Sequence, residues 1–83
     1  MSNLKPINVG LLGIGTVGSG VWEVLGRNQE EITRLAGRGI VIAKVADKDT
    51  ERANKITEGR AAVTGDANEV VTDPEIDIVI ELI

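Results

Sequence analysis

Two features of this 83-residue chain suit ligand binding, the run Gly13-Ile14-Gly15-Thr16-Val17-Gly18 and, farther along, Asp47. The first is a G-x-G-x-x-G lying directly after a short apolar run and directly opening an amphipathic segment, the setting in which that spacing cradles a pyrophosphate. Each glycine has a mechanical role. Gly13 permits a tight turn, Gly15 lets a phosphate approach the backbone with no Cβ in the way, and Gly18 lets the following helix pack closely. The phosphate would then meet the free N–H groups near Thr16 and Val17, where the helix dipole favours negative charge. The alternative is a glycine turn that serves close packing alone, and Gly10 and Gly20 fit that role better as residues easing the packing of strand on helix.

Asp47 ends a second apolar run, where an acid hydrogen-bonds the adenosine ribose hydroxyls of a dinucleotide. It lies farther from Gly18 than the usual ~20 residues, and a long helical segment through Ala36 accounts for the excess. The alternative is an aspartate that merely begins a turn. Its carboxylate would repel a 2′-phosphate while the nearby cations Lys48 and Arg52 would welcome one, so NAD is favoured and NADP stays open. Glu81 falls near the C-terminal end of a last strand, the edge beside which ligands lie, and reads either as a substrate-facing acid or as an ion-pair partner. Lys44 and Asp77 read as strand-end or partly solvated residues, and Trp22 as packing among valines. With no cysteine and no histidine, the chain has no disulfide framework, none of the usual zinc ligand sets and not the commonest general base. No metal site and no catalytic group are expected in it.

The elements that must position these residues follow from periodicity. Ile7, Val9, Leu11 and Leu12 predict a buried strand over 7–12. Val17, Val21, Val24 and Leu25 share one helical face, so a helix starts near Thr16. Gly26 and Asn28 interrupt that face before Ile32, Leu35 and Ala36 resume it, giving one long helix or two joined by a kink, ended by Gly37 and Gly39 as caps. Ile40 to Ala46 is β-branched and nearly continuous, a strand covered on both faces. Asp49 or Thr50 caps a helix running to about Glu58, with a thin apolar face of Ala53 and Ile56. Ala61 to Val63 gives a minimal strand, Asp66 and Glu69 a capping-box-like start to a short helix through Val71, Asp73-Pro74 a turn, and Ile76 to Ile83 a last strand. The order β-α-β-α-β-α-β predicts an α/β fold, a Rossmann-type parallel sheet with strand order 3-2-1-4 and helices on both faces. Strands five and six of that architecture are missing, so the chain reads as the truncated N-terminal portion of a dinucleotide-binding domain.

Composition removes other classes. Nine basic against thirteen acidic side chains give a net charge of −4, with Trp22 the sole aromatic. A nucleic-acid binder needs a basic stripe and stacking platforms, and this chain has neither. No apolar run approaches the ~18 residues of a membrane span, and the first residues lack a signal-peptide pattern. The expected setting is the cytoplasm, without nucleic-acid or membrane partners.

The sequence resembles the N-terminal part of the homoserine dehydrogenases over essentially its whole length. The resemblance rests on Val9-Gly-Leu-Leu-Gly-Ile-Gly-Thr-Val-Gly-Ser-Gly-Val21, Asn28-Gln-Glu-Glu-Ile32, Ala36-Gly-Arg38, Val45-Ala-Asp47 and Asp73-Pro-Glu-Ile-Asp-Ile-Val-Ile-Glu-Leu-Ile83. It implies NAD(P)-dependent interconversion of L-homoserine and L-aspartate 4-semialdehyde, on the way to threonine, methionine and isoleucine, in a homodimer that takes a small amino-acid substrate. It places cofactor phosphates at Gly13 to Gly18 and the adenosine ribose near Ala46 and Asp47. Many members carry an arginine at the position of Ala46, and this chain departs from them there. The family's catalytic lysines and substrate-binding acids lie beyond residue 83. Two other readings are another amino-acid-pathway dehydrogenase or reductase with the same first half, and a non-catalytic dinucleotide sensor. A third is a fragment that binds nothing.

Overall fold

The computed structural model describes residues 5–82. In chain order it contains β1 (Ile7–Leu12), α1 (Thr16–Arg27), α2 (Gln29–Ala36), β2 (Ile40–Ala46), α3 (Thr50–Thr57), β3 (Ala62–Thr64), α4 (Asn68–Val71) and β4 (Ile78–Glu81). The strands form one parallel sheet in the order β3-β2-β1-β4. The α/β class and strand order expected from the alternation of apolar runs and helical faces are therefore those observed. Ile83, the last residue of the expected final strand, lies outside the described residues.

The two faces of the sheet carry different cores. Val9, Leu11, Ile42 and Val45 are buried together with Ile14, Ala53 of α3 and Ala61, and Val21, Trp22 and Leu25 of α1 pack against them. On the other face Leu12 and Ala46 meet Val70 of α4. Alternation alone would put Ile42, Lys44 and Ala46 of β2 on one face. A register shift prevents this: Val9 pairs with Ile42 but Gly10 with Lys44, leaving Ala43 as an extra residue. The bulge reverses the alternation, so Val45 continues the α3 face while Lys44 turns to the α4 face. There its Nζ lies 2.9 Å from Asp73 Oδ2 and donates to Glu69 O at 3.2 Å. Lys44 is thus partly solvated, as expected, and also paired within the fold.

The interrupted helical stretch is two helices that meet at Asn28. Asn28 Nδ2 donates to Val24 O at 2.8 Å and Gln29 Nε2 to Leu25 O at 2.9 Å, so side-chain amides take up carbonyls of the last turn of α1. Gly37 (φ 77°) ends α2. Gly39 is not a cap: its carbonyl accepts from Ile7 N at 2.8 Å, and a Cβ there would meet Gln29 Oε1 at 3.2 Å. Gly20 does not ease packing among the described residues either, because a Cβ on it would meet none of their atoms within 4 Å.

In α3 the buried face is Ala53 and Thr57. The Thr57 hydroxyl donates to Ala53 O at 3.0 Å, which is how a polar residue comes to be fully buried there. The capping box at α4 does not form. Asp66 Oδ1 accepts from Asn68 N at 2.9 Å, but the Glu69 carboxylate turns to the Thr64 hydroxyl instead of reaching back along the helix. β3 begins one residue later than expected, and β4 starts at Ile78 because the Asp73-Pro74 turn runs on, with Ile76 N bonded to Asp73 O. Asp77 closes that loop onto β1, its Oδ2 accepting from Asn8 N at 2.8 Å while its own N–H donates to Asn8 O.

Candidate functional site

The C-terminal ends of β1 and β2 are tied together before any side chain is involved. Gly13 N donates to Ala46 O at 2.7 Å, and Gly13 itself takes φ 91°, a conformation only glycine adopts freely. The chain can then turn out of β1 at once and enter α1 at Thr16. The first backbone bond of that helix runs from Ser19 N to Gly15 O at 2.9 Å, so the N–H groups ahead of Ser19 face out of the helix start.

The glycines do separate jobs there. Among the described residues a Cβ on Gly15 would meet only Arg52 Nη2, at 3.9 Å, leaving that surface open. At Gly18 a Cβ would come within 3.0 Å of Gly13 O and 3.2 Å of Ile14 Cγ1, so Gly18 is the point where α1 folds back onto the turn that launches it. The neighbours that crowd a side chain at Gly18 belong to the turn, not to the strand.

Asp47 stands at the end of β2 facing this turn. Its Oδ2 accepts from Ile14 N at 2.9 Å and its Oδ1 from Asp49 N at 2.9 Å, and Arg52 Nη2 lies 3.6 Å from Oδ2. The Ile14 amide is the largest influence holding the Asp47 carboxyl below its ordinary value, followed by the Asp49 amide, with Arg52 adding to both and burial opposing them. Asp47 is therefore an ionised group that binds the glycine turn to the start of α3. Asp49 completes the junction by accepting from Arg52 N at 3.0 Å as the N-cap of α3.

Gly13, Gly15, Ala46, Asp47 and Lys48 line one depression of about 300 Å³, together with Leu82 just past β4. It opens at the carboxyl ends of β1, β2 and β4, on the side of a parallel sheet where ligands lie. Of the other residues singled out by the G-x-G-x-x-G spacing, Thr16 is exposed at the helix start and Gly18 is buried beneath it. Ile14 is fully buried in the core, and its amide is engaged by Asp47. The Val17 side chain lies outside what the structure describes. Two contributions were not legible in the linear pattern, the Leu82 wall and the use of Asp47 as a brace. A second hollow, of about 210 Å³, sits elsewhere against Trp22, Leu25, Gln29 and Ile40, and Trp22 packs against the buried core as expected. Among the described residues no cluster of acidic, histidine or cysteine side chains could hold a metal ion, and no helix is long and apolar enough to cross a membrane.

Comparison with known proteins gives a consistent assignment. The family model for the homoserine dehydrogenase NAD-binding domain matches residues 13–82. A homoserine dehydrogenase of Methylobacillus glycogenes is 62% identical over 80 residues, covering 96% of this chain and 19% of that protein. The crystal structure of a homoserine dehydrogenase from Thiobacillus denitrificans superimposes with a TM-score of 0.86 at 49% identity, over 98% of this chain and 19% of that one. An NAD-binding oxidoreductase from Klebsiella pneumoniae matches with a TM-score of 0.77 at 26% identity, over 94% of this chain and 21% of that one. The chain spans about a fifth of the length of the curated relatives it matches.

Proposed function

The chain belongs to the NAD-binding domain family of the homoserine dehydrogenases, and on that premise we propose that it is the nicotinamide-dinucleotide-binding part of an enzyme that interconverts L-homoserine and L-aspartate 4-semialdehyde. The observation that carries the reading is the pairing of an open Gly15 surface with an ionised Asp47 beside the same turn. A pyrophosphate needs the first and a ribose diol the second, and 300 Å³ at the strand ends lies between them. The residues present fit such a group.

In this reading the turn from Gly13 to Gly18 holds the pyrophosphate over Gly15 and at the amides of Thr16 and Val17, while Ile14 anchors the turn through its buried side chain and the hydrogen bond from its amide to Asp47. The amides ahead of Ser19 supply donors that the helix leaves unpaired. Asp47 accepts from the adenosine ribose with the lone pairs not committed to Ile14 and Asp49, and Ala46 and Lys48 flank that ribose. NAD is preferred over NADP, because a carboxylate at this position repels a 2′-phosphate. The bound dinucleotide supplies hydride transfer, and the protein's part is to bind and orient it. We assign no catalytic group to these 83 residues. The amino-acid substrate site, the catalytic residues and a homodimer contact are assigned to the portion of the enzyme that this chain does not cover, and the enzyme to the cytoplasm, in the synthesis of threonine, methionine and isoleucine.

The test is calorimetric titration of the whole protein with NADH and NADPH, followed by an assay of cofactor oxidation with aspartate semialdehyde. Binding with turnover supports the proposal. Binding without turnover overturns the substrate and favours a dinucleotide sensor, and absence of binding overturns the reading from Gly13 onward.

A further inference from the structure

The glycine turn is held by side chains from two sides. Asp47 Oδ2 accepts from Ile14 N at 2.9 Å and so fixes the peptide unit between Gly13 and Ile14. From within α1 the part-buried Ser19 hydroxyl donates to Gly15 O at 2.9 Å and lies 3.2 Å from Ile14 O, a three-centre bond. The bond to Gly15 O alone is the ordinary way in which a helical serine satisfies itself, on the carbonyl four residues back. The reach to Ile14 O is not, because Ile14 precedes the N-cap of the helix. Through it one hydroxyl holds two successive carbonyls, and three consecutive peptide units of the turn are each tied to a side chain.

A trans peptide unit is planar, so the direction of its carbonyl fixes its N–H on the opposite side. With Ile14 O and Gly15 O drawn toward Ser19, the N–H groups of Gly15 and Thr16 are turned away from it. That is the side on which Thr16 is exposed and the Gly15 surface is open. Glycine leaves these peptide planes free to rotate, and no side-chain cap holds them at the front of α1. We propose that Ser19 is a positioning residue for the phosphates of the dinucleotide: without touching the ligand, its hydroxyl sets the Gly15 and Thr16 amides in the orientation that receives a pyrophosphate. This inference rests on the dinucleotide-binding reading above.

The experiment compares the whole wild-type protein with Ser19→Ala, Ser19→Cys and Ser19→Thr. Each is titrated with NADH, and NADH is then displaced with ADP, which brings a diphosphate, and with adenosine, which does not. Thermal melting of each variant confirms that it is folded. Cysteine keeps nearly the size of serine with only a weak donor, whereas threonine keeps the hydroxyl. Ser19→Ala and Ser19→Cys are expected to weaken NADH and ADP about fivefold, the scale of one neutral hydrogen bond. Ser19→Thr is expected to stay within about twofold of wild type on the same scale, and adenosine to bind all four proteins alike. NADH affinity within about twofold of wild type in both Ser19→Ala and Ser19→Cys overturns the inference. So does an equal loss in Ser19→Thr, which would make the position one of shape rather than of hydrogen bonding, and so does an equal weakening of adenosine, which would mean that the whole site has shifted. If the wild type does not bind NADH, the dinucleotide reading itself fails and this inference with it, an outcome distinct from the others.

Discussion

The carboxylate of Asp47 accepts a hydrogen bond from the backbone amide of Ile14 at 2.9 Å, across 33 positions of sequence. One charged side chain thereby sets the distance between the glycine turn after β1 and the end of β2, the two walls of the candidate site. Asp47 has a structural task and a proposed ligand task, and the two can be separated by substitution.

For the structural task, Asp47→Ala leaves the amides of Ile14 and Asp49 without their acceptor. Hydrogen bonds to charged groups contribute about 1.5–3 kcal/mol each, and water can replace part of that at a partly open site. A loss of about 2 kcal/mol is expected from this scale in urea denaturation. A loss below about 0.5 kcal/mol, the range of ordinary surface substitutions, would show that the brace contributes little.

The ligand task is read from cofactor preference. Asp47→Ala is expected to weaken NADH binding by about 1–2 kcal/mol through lost ribose hydrogen bonds, while NADPH binding changes little or improves. Equal losses for both cofactors in calorimetry would take Asp47 out of the ribose site and leave it only as a brace.

Gly10 and Gly20 flank the site in sequence and are expected to respond in opposite directions. A Cβ on Gly10 would lie 2.4 Å from Val70 Cγ1 and 3.2 Å from Ile76 Cγ2, so Gly10→Ala forces α4 off the sheet at a cost of about 1–3 kcal/mol. Gly20 lies inside α1 with no atom of the described residues near its Cβ position, where alanine is the better helix former by about 1 kcal/mol. Melting temperatures of the two variants should move apart, and a shift of both in the same direction would contradict the packing described.

Gly15→Ala tests the open surface. With only Arg52 at 3.9 Å from the added Cβ, the stability of the unliganded protein should change by no more than about 1 kcal/mol. Dinucleotide affinity should nevertheless fall tenfold or more, the loss of about 1.4 kcal/mol that a displaced pyrophosphate entails. Retained affinity would mean that the phosphates do not pass over Gly15.

Acid sensitivity follows from two carboxylates. Asp47 is held low chiefly by the Ile14 amide and Asp73 chiefly by Lys44, with the Glu75 amide second. A carboxyl whose folded value lies below its unfolded value of about 3.9 adds stability that is complete above that pH. The contribution is lost as pH falls through the folded value, because the unfolded chain then binds more protons. The melting temperature should therefore decline below about pH 4, and less steeply in Asp47→Asn or Asp73→Asn than in the wild type. Unchanged slopes in both variants would place the acid-sensitive groups elsewhere.

Much of the fold was legible in the sequence because its signals are local. Apolar runs bounded by glycine and proline mark β1 and β2, the valine spacing marks α1, and the parallel order β3-β2-β1-β4 follows from strands alternating with helices. The glycine spacing and its place between β1 and α1 likewise identify the turn and the residue that must take φ above zero, Gly13. These depend on neighbours a few positions apart, which a linear pattern records.

The remaining features were decided by register and packing, which bring together residues that no local pattern relates. The extra residue Ala43 fixes which face Lys44 takes and so gives Asp73 its partner. Contact with Val70 makes a side chain at Gly10 costly, while among the described residues nothing opposes one at Gly20, although both are glycines beside the same motif. That an acid ends β2 near a phosphate-cradling turn follows from residue order alone. Only the tertiary structure determined that this acid is bonded to the turn and faced by a guanidinium from α3, because hydrogen bonds and ion pairs between distant segments exist only once the sheet has fixed their separation.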